Sequence, residues 1–78
     1  MNKDEIARLR EAVRLEPVNP ARRAKLGEVL LRLGQYADAE ILFRDCVRLE
    51  QDNPAHHESL GRALSALGRL HEAEAAHL

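Results

Sequence analysis

Leucines recur at helical spacing through the middle of the chain. Leu26, Leu30 and Leu33 lie three or four residues apart, and the charged residues Glu28 and Arg32 fall between them. Because an α-helix completes a turn every 3.6 residues, this spacing places the leucines on one face and the charges on another. The pattern predicts an amphipathic helix that buries its leucines.

An Asn-Pro pair precedes this helix and occurs again later in the chain. Asn19 and Asn53 are good N-caps, because their side-chain oxygens accept a backbone N–H that lacks a partner in the helix. Pro20 and Pro54 suit the first helical position, where a missing N–H does no harm. We therefore expect helices to begin at both prolines.

Glycines are predicted to end these two helices. Gly34 and Gly68 adopt the left-handed conformation without a Cβ penalty. A second helix is expected from about residue 36 to residue 50, and an upstream helix is expected from near Lys3 until Pro17 stops it. The inner face of the second helix is predicted to carry Ala39, Leu42, Phe43, Cys46 and Leu49.

The sequence repeats with a period of 34 residues. That shift superimposes Asn19 on Asn53, Leu26 on Leu60, Gly27 on Gly61, Leu30 on Leu64, Gly34 on Gly68 and Ala39 on Ala73. It divides the chain into the second helix of a partial unit (1–18), a complete unit (19–52) and a truncated unit (53–78). Each unit is expected to form an antiparallel helical hairpin, so the predicted class is all-α, a solenoid of stacked hairpins.

Two glycines fall inside the predicted helices. Gly27 and Gly61 should each cost about 1 kcal/mol relative to alanine. A close approach of the partner helix explains that cost, and the small residues Ala39 and Ala73 are predicted to lie opposite.

Opposite charges four residues apart are expected to support the helices. The pairs are Asp4 with Arg8, Glu28 with Arg32, Glu40 with Arg44 and Glu58 with Arg62. Each is worth roughly 0.2–0.5 kcal/mol and identifies no ligand.

Net charge, apolar content and cysteine count argue against several classes of function. Twelve Lys and Arg residues against thirteen Asp and Glu residues leave a net charge of −1, without the basic excess that attracts nucleic acid or anionic membranes. No stretch approaches the roughly 20 apolar residues of a membrane span, and no signal peptide is recognisable. The single cysteine, Cys46, excludes an internal disulfide. We expect a soluble cytoplasmic protein without nucleic-acid or membrane partners.

The histidines and the single cysteine could suggest a metal site or a nucleophile, but they are interpreted as structural residues. Adjacent His56 and His57 point about 100° apart on a helix, and His71 and His77 fall on different faces, so neither pair has metal-ligand spacing. Both His56 and His57 are expected on a solvated or half-packed surface. Cys46 takes a small inward position, which predicts a buried thiol rather than a nucleophile. No metal, cofactor or catalytic residue is predicted, and the chain is not expected to be an enzyme.

The N-terminal third is locally basic. Its arginines are Arg8, Arg10, Arg14, Arg22 and Arg23. Acidic residues interleave with them, and no aromatic side chain is available there to stack on bases. A solvated, salt-bridged face is therefore preferred over nucleic-acid binding.

These features resemble the tetratricopeptide repeat, a helix-turn-helix unit of 34 residues. The complete unit matches it at Leu26, Gly27, Leu30, Gly34, Tyr36, Ala39, Phe43 and Cys46, and the truncated unit at Leu60, Gly61, Leu64, Gly68, Leu70 and Ala73. The departures are Arg23 and His57 at a usual aromatic position, Gln51 at the closing proline, and His77 in the place of Phe43. The resemblance implies a right-handed superhelix.

The resemblance also implies a concave surface that holds a peptide or a partner's helix. Carried over by position, its residues are Ala21, Ala24, Glu28, Leu31 and Arg32, then Ala55, Glu58, Arg62, Ser65 and Ala66. Members that clamp acidic tails use a lysine and an asparagine one turn apart, and here those positions hold Ala24 and Glu28, then Glu58 and Arg62. The clamp is absent, and the mixed charge fits an amphipathic helix or self-association.

Three functions remain open from the sequence. The resemblance favours a non-enzymatic interaction module or scaffold that binds a protein or peptide. The alternatives are a regulatory or substrate-docking segment of a larger enzyme, such as a transferase, and a self-assembling structural scaffold. Because repeat units cannot bury their apolar faces alone, the half-units indicate either a piece of a longer array or a homo-oligomer through open repeat ends.

Overall fold

The computed structural model describes the backbone of residues 3–76 and the side chains of residues 3–71. Four helices follow one another along these residues: α1 (Lys3–Leu15), α2 (Pro20–Arg32), α3 (Tyr36–Leu49) and α4 (Pro54–Ala76). Residues 3–76 contain no strand. The all-α prediction is confirmed.

Both Asn-Pro pairs start helices as predicted. The Asn19 side-chain oxygen accepts the Ala21 backbone N–H at 3.0 Å, and Asn53 accepts the Ala55 N–H at the same distance, 3.0 Å. These bonds satisfy donors that the first turn of a helix leaves unpaired. The sequence therefore fixes where α2 and α4 begin through local chemistry.

Gly34 reverses the chain between α2 and α3. Its φ angle is +80°, in the left-handed region that favours glycine. The Gln35 N–H donates to the Leu30 carbonyl at 2.9 Å, and the Gly34 N–H donates to the Leu31 carbonyl at 3.1 Å. This pair of bonds is the Schellman pattern, and it folds α3 back against α2.

Gly68 does not end a helix, contrary to the prediction. α4 continues without a break from Pro54 to Ala76. The segment after Gly68 is rich in alanine and glutamate, which are strong helix formers but offer little apolar area to a returning helix. Where α3 brings Phe43 and Cys46 to the core, this segment has Leu70 as its one large apolar side chain up to Ala76, so a continued helix is favoured over a turn.

Phe43 lies at the centre of the core. Its side chain is fully buried in a cluster with Leu30, Ala39 and Ala63. A Cβ placed on Gly27 would lie only 2.7 Å from Phe43 Cε1, so the interior of α2 requires glycine at this point. The predicted close approach at Gly27 is confirmed, although Phe43 rather than Ala39 makes it.

Gly61 has open surroundings in the described part of the chain. No heavy atom there lies within 4 Å of a Cβ placed on it. The close approach predicted at Gly61 is therefore not formed by these residues. The side chain of Ala73, its predicted partner, lies outside the described residues.

The helices pack in series. Each packs on the next one in sequence, and α2 also touches α4. The molecule measures 43 × 32 × 14 Å, the flat shape expected of hairpins stacked in one direction. This helical repeat architecture sets α2 and α4, the first helices of successive units, side by side. Within residues 3–76, none of the helices combines the length with the apolar composition that a membrane span requires.

Gly27 and Gly61 form a matched pair for substitution. We predict that Gly27→Ala lowers the free energy of unfolding by about 1–3 kcal/mol, because the added methyl group overlaps the Phe43 ring. Gly61→Ala should raise it by about 0.5–1 kcal/mol, because alanine favours the helix and meets open space. Urea unfolding followed by circular dichroism measures both changes. Equal effects of the two substitutions would contradict the role assigned to Phe43.

Candidate functional site

The helices α2 and α4 and the start of α3 line a surface groove, which we call the α2–α4 groove. Its lining residues are Leu31, Tyr36, Glu58, Gly61, Arg62, Ser65, Ala66 and Arg69. Five positions implied by the family resemblance meet here, namely Leu31, Glu58, Arg62, Ser65 and Ala66. The implied residues that do not line the groove are Ala21, Ala24, Glu28, Arg32 and Ala55, although Glu28 reaches its rim through hydrogen bonds.

Sequence reasoning missed three of the lining residues. Tyr36 joins the groove because the Gly34 turn places the start of α3 beside the end of α2. That turn was recognisable in the sequence and was a usable signal for Tyr36. Arg69 lies at the groove because α4 continues past Gly68, which the sequence analysis predicted as a helix end. Gly61 is the third, at a place where the sequence predicted a buried contact.

A polar cluster joins α2 to α4. Glu28 Oε1 accepts a hydrogen bond from Arg62 Nη2 at 3.0 Å and another from Ser59 Oγ at 3.2 Å. The predicted pairing of Glu28 with Arg32 and of Glu58 with Arg62 is wrong for this reason: the neighbouring units approach closely enough for Arg62 to reach Glu28 instead. Since Glu28 and Arg62 occupy the same position in successive units, one ion pair links the two copies.

The ion pair is accessible to a partner. The side chains of Arg62 and Glu28 remain 52% and 42% exposed. An ion pair this exposed contributes only about 0–1 kcal/mol to stability, so groups of a ligand can compete for it. Ser59 is buried and holds the Glu28 carboxylate in place. The rim of the groove therefore presents an acid and a base in set positions.

The rest of the groove combines apolar and charged groups. Leu31, Tyr36 and Ala66 supply apolar surface. Glu58 adds a second carboxylate, and Arg69 donates a hydrogen bond to Ser65 Oγ at 3.2 Å. Charges of both signs thus surround an apolar strip, in agreement with the mixed charge expected from the sequence.

The loop before α2 is held by a set of side-chain hydrogen bonds. Arg22 Nε donates to the Glu16 carboxylate at 3.0 Å, and Arg23 Nε donates to the Pro17 carbonyl at 3.0 Å. Asn19 Nδ2 donates to the same carboxylate at 2.9 Å. The two arginines therefore attach the first turn of α2 to the end of α1.

The loop before α4 is held in the same way by histidines. His56 Nε2 donates to the Glu50 carboxylate at 2.6 Å, and His57 Nε2 donates to the Gln51 carbonyl at 2.7 Å. The predicted surface position is correct for exposed His57 but wrong for His56, which is only 7% exposed because it reaches back to the loop. Both imidazoles repeat the contacts of Arg22 and Arg23 and act as structural donors.

The hydrogen bonds in the two loops lower the pKa values of two glutamates. The hydrogen bond from His56, together with one from Asn53, lowers the pKa of the Glu50 carboxyl below its ordinary value. Hydrogen bonds from Asn19 and Arg22 lower the pKa of Glu16 in the same way. In both loops the carboxylate is the common acceptor, and these hydrogen bonds favour its ionised form.

The predicted buried thiol is confirmed. Cys46 is fully buried, and its Sγ donates a weak hydrogen bond to the Pro20 carbonyl at 3.4 Å. Burial raises the pKa of the thiol, which disfavours the reactive thiolate. Within the described residues, no cluster of His, Cys, Asp and Glu side chains is suited to a metal ion. The side chain of His77 lies outside those residues.

Several N-terminal arginines have acidic partners. Arg14 pairs with Glu11, Arg22 with Glu16, and Arg23 with Asp45. The last of these pairs is the most enclosed, with side chains 21% and 20% exposed, and it connects α2 to α3. These contacts support a salt-bridged face over a free basic patch.

We predict that Glu50 contributes to acid lability. A carboxylate whose pKa is lowered by folding stabilises the protein above its ordinary pKa of 4.5, and this stabilisation is lost as the pH falls through the folded-state value. From neutral pH to below pH 4.5, the Tm of the wild type should therefore fall more steeply than that of Glu50→Gln. Thermal unfolding by circular dichroism gives both slopes.

Asp52→Asn is the control, since it removes an exposed carboxylate from the same loop. It should keep the wild-type slope below pH 4.5, because it leaves the hydrogen bond from His56 to Glu50 in place. A Glu50→Gln slope as steep as that of the wild type would show that the bond from His56 does not couple the Glu50 carboxylate to folding.

Comparison with known proteins agrees with the geometry. A family model described as tetratricopeptide repeat matches residues 6–61, which include the Gly34 turn and the contact between Phe43 and Gly27. Searches of curated proteins and of solved structures give no match. The matched segment spans more than half of the 78 residues. The chain therefore belongs to the tetratricopeptide repeat family.

Proposed function

We propose that the chain is a non-enzymatic interaction module that binds a segment of a partner protein in the α2–α4 groove. Tetratricopeptide repeats are generally protein–protein interaction modules. The observation that carries the proposal is the accessible ion pair of Glu28 and Arg62 beside the apolar surface of Leu31 and Ala66. An apolar strip with positioned polar groups is suited to hold and orient a peptide.

The ligand that fits this groove is an amphipathic helix. Its apolar side chains would pack against Leu31, Tyr36 and Ala66. A basic side chain would lie near Glu58, and an acidic side chain would lie near Arg62. A purely acidic tail fits less well, because Arg62 is already paired with Glu28. In addition, the Glu58 carboxylate would repel the tail.

The absence of catalysis is part of the proposal. The Cys46 thiol is buried, and the imidazoles of His56 and His57 donate to loop acceptors rather than to a nucleophile. A reduced cysteine and a structure without disulfides are typical of the cytoplasm, which is the location we propose.

The triple substitution of Glu28, Arg32 and Arg62 with alanine tests the groove. We predict that it weakens capture of partner proteins by about tenfold or more, because it removes the ion pair of Glu28 and Arg62 at the groove rim. Helicity should be unchanged, since the exposed pair contributes little to stability. Quantitative mass spectrometry of proteins retained on immobilised chain, with circular dichroism of each variant, measures both quantities.

The matched control is the double substitution Glu40→Ala and Arg44→Ala, which removes an ion pair from α3 outside the groove. A partner that binds the groove should be retained by this control and lost with the triple variant. Equal retention by the triple variant and the wild type would exclude the groove as the binding surface.

A further inference from the structure

One face of α4 is open where the equivalent face of α2 is covered. Leu30 of α2 is 1% exposed, whereas its repeat counterpart Leu64 is 41% exposed. Gly27 lies beneath the Phe43 ring, whereas no described heavy atom lies within 4 Å of a Cβ placed on Gly61. α4 therefore repeats the surface that α2 presents to α3, without an equivalent helix on it among the described residues.

The helix α1 carries the sequence counterpart of α3. With the shift of 34 residues, Leu9 corresponds to Phe43 and Glu11 to Asp45. Ala12 takes the place of Cys46, so the small inward position is also kept. Leu9 is only half-buried in the chain, where it packs against the core from the α2 side. By position, Leu9 is the counterpart of the Phe43 side chain that covers Gly27.

We propose that α1 of a second copy of this chain packs on the open face of α4, in the arrangement that α3 has on α2. Leu9 of the second copy would then lie over Gly61, as Phe43 lies over Gly27, and would cover Leu64. Gly61 also lines the α2–α4 groove, so a second copy and a groove ligand would compete for this position, but the inference rests on the packing of α3 on α2 and not on that ligand.

The polar positions of the two helices also correspond. In the α2–α3 hairpin, Arg23 Nη1 pairs with Asp45 Oδ2 at 3.2 Å while Arg23 Nε donates to a loop carbonyl. His57 is the counterpart of Arg23 and makes the equivalent bond to its own loop carbonyl through Nε2. When the ring is protonated at both nitrogens, Nδ1 would therefore donate to Glu11 of the second copy, the counterpart of Asp45.

The arrangement is head-to-tail. In the described residues α1 packs on α2, α4 packs on α3 and also touches α2, and α1 and α4 do not contact each other. Each copy thus offers α1 to one neighbour and α4 to another, which makes the contact heterologous. Such contacts extend into longer assemblies as concentration rises, unlike a closed two-fold dimer.

At one position the sequence of α1 does not match that of α3. Glu5 stands where the hairpin has the fully buried Ala39. A carboxylate beside Leu64 is unfavourable unless it keeps contact with water, so the centre of the contact lies at Leu9 and Gly61 rather than at the first turn of α1. The resulting association should be weaker than the packing of α3 on α2.

Sedimentation velocity of the 78-residue chain from about 10 μM to about 1 mM tests the proposal. We expect the sedimentation coefficient to rise with concentration. Gly61→Gln should weaken association by about tenfold, equivalent to about 1.4 kcal/mol, because it fills the place of Leu9 from the second copy. His57→Arg should tighten association, because it restores the pairing that Arg23 makes with Asp45.

The control is His71→Arg, which makes the same chemical change at an exposed position of α4 beyond the proposed contact. It should leave association unchanged, and circular dichroism should show wild-type helicity for all three variants. A folded wild-type chain that stays monomeric at about 1 mM would overturn the proposal. Association that Gly61→Gln does not weaken, or that His57→Arg and His71→Arg tighten equally, would overturn it as well.

Discussion

The contact between the Phe43 ring and the backbone of Gly27 is the constraint on which the structure depends. Because Gly27 has no side chain, α3 approaches α2 closely enough to bury Leu30 and the Cys46 thiol. The same approach brings Asp45 within reach of Arg23. α4 then packs on α3, and the first helices of successive units come to lie beside each other. The α2–α4 groove is therefore a consequence of packing within the preceding hairpin.

The two loops show which features of the repeat the fold needs. The acceptors are kept, since Glu16 and Glu50 are both glutamates at equivalent positions. The donors change from Arg22 to His56 and from Arg23 to His57, yet the bonds form at comparable distances. What the loop requires is an N–H donor of the right reach, whether or not it carries a charge. The contacts of the adjacent histidines follow from this requirement.

Much of the fold could be predicted from local chemistry, and most of the site could not. The Asn-Pro caps and the glycine at residue 34 act through bonds to near neighbours, so the starts of α2, α3 and α4 followed from the sequence. The prediction at Gly68 is wrong because glycine permits a turn without requiring one. A helix folded back after Gly68 would also have little apolar surface to bury. The sequence pairs Glu28 and Arg62 with residues of their own helices, and this prediction is wrong. Spacing along one helix carries no information about the distance to the next unit.

The most direct test of this account is the nuclear Overhauser effect between the Phe43 ring protons and the Gly27 α-protons in solution. We expect strong cross-peaks and a ring-current shift of the Gly27 α-protons, because Gly27 lies against the aromatic ring. Gly61, with open surroundings, should show neither effect in the monomer. Absence of the Gly27 cross-peaks in the folded protein would contradict the packing of α2 on α3 and the groove derived from it.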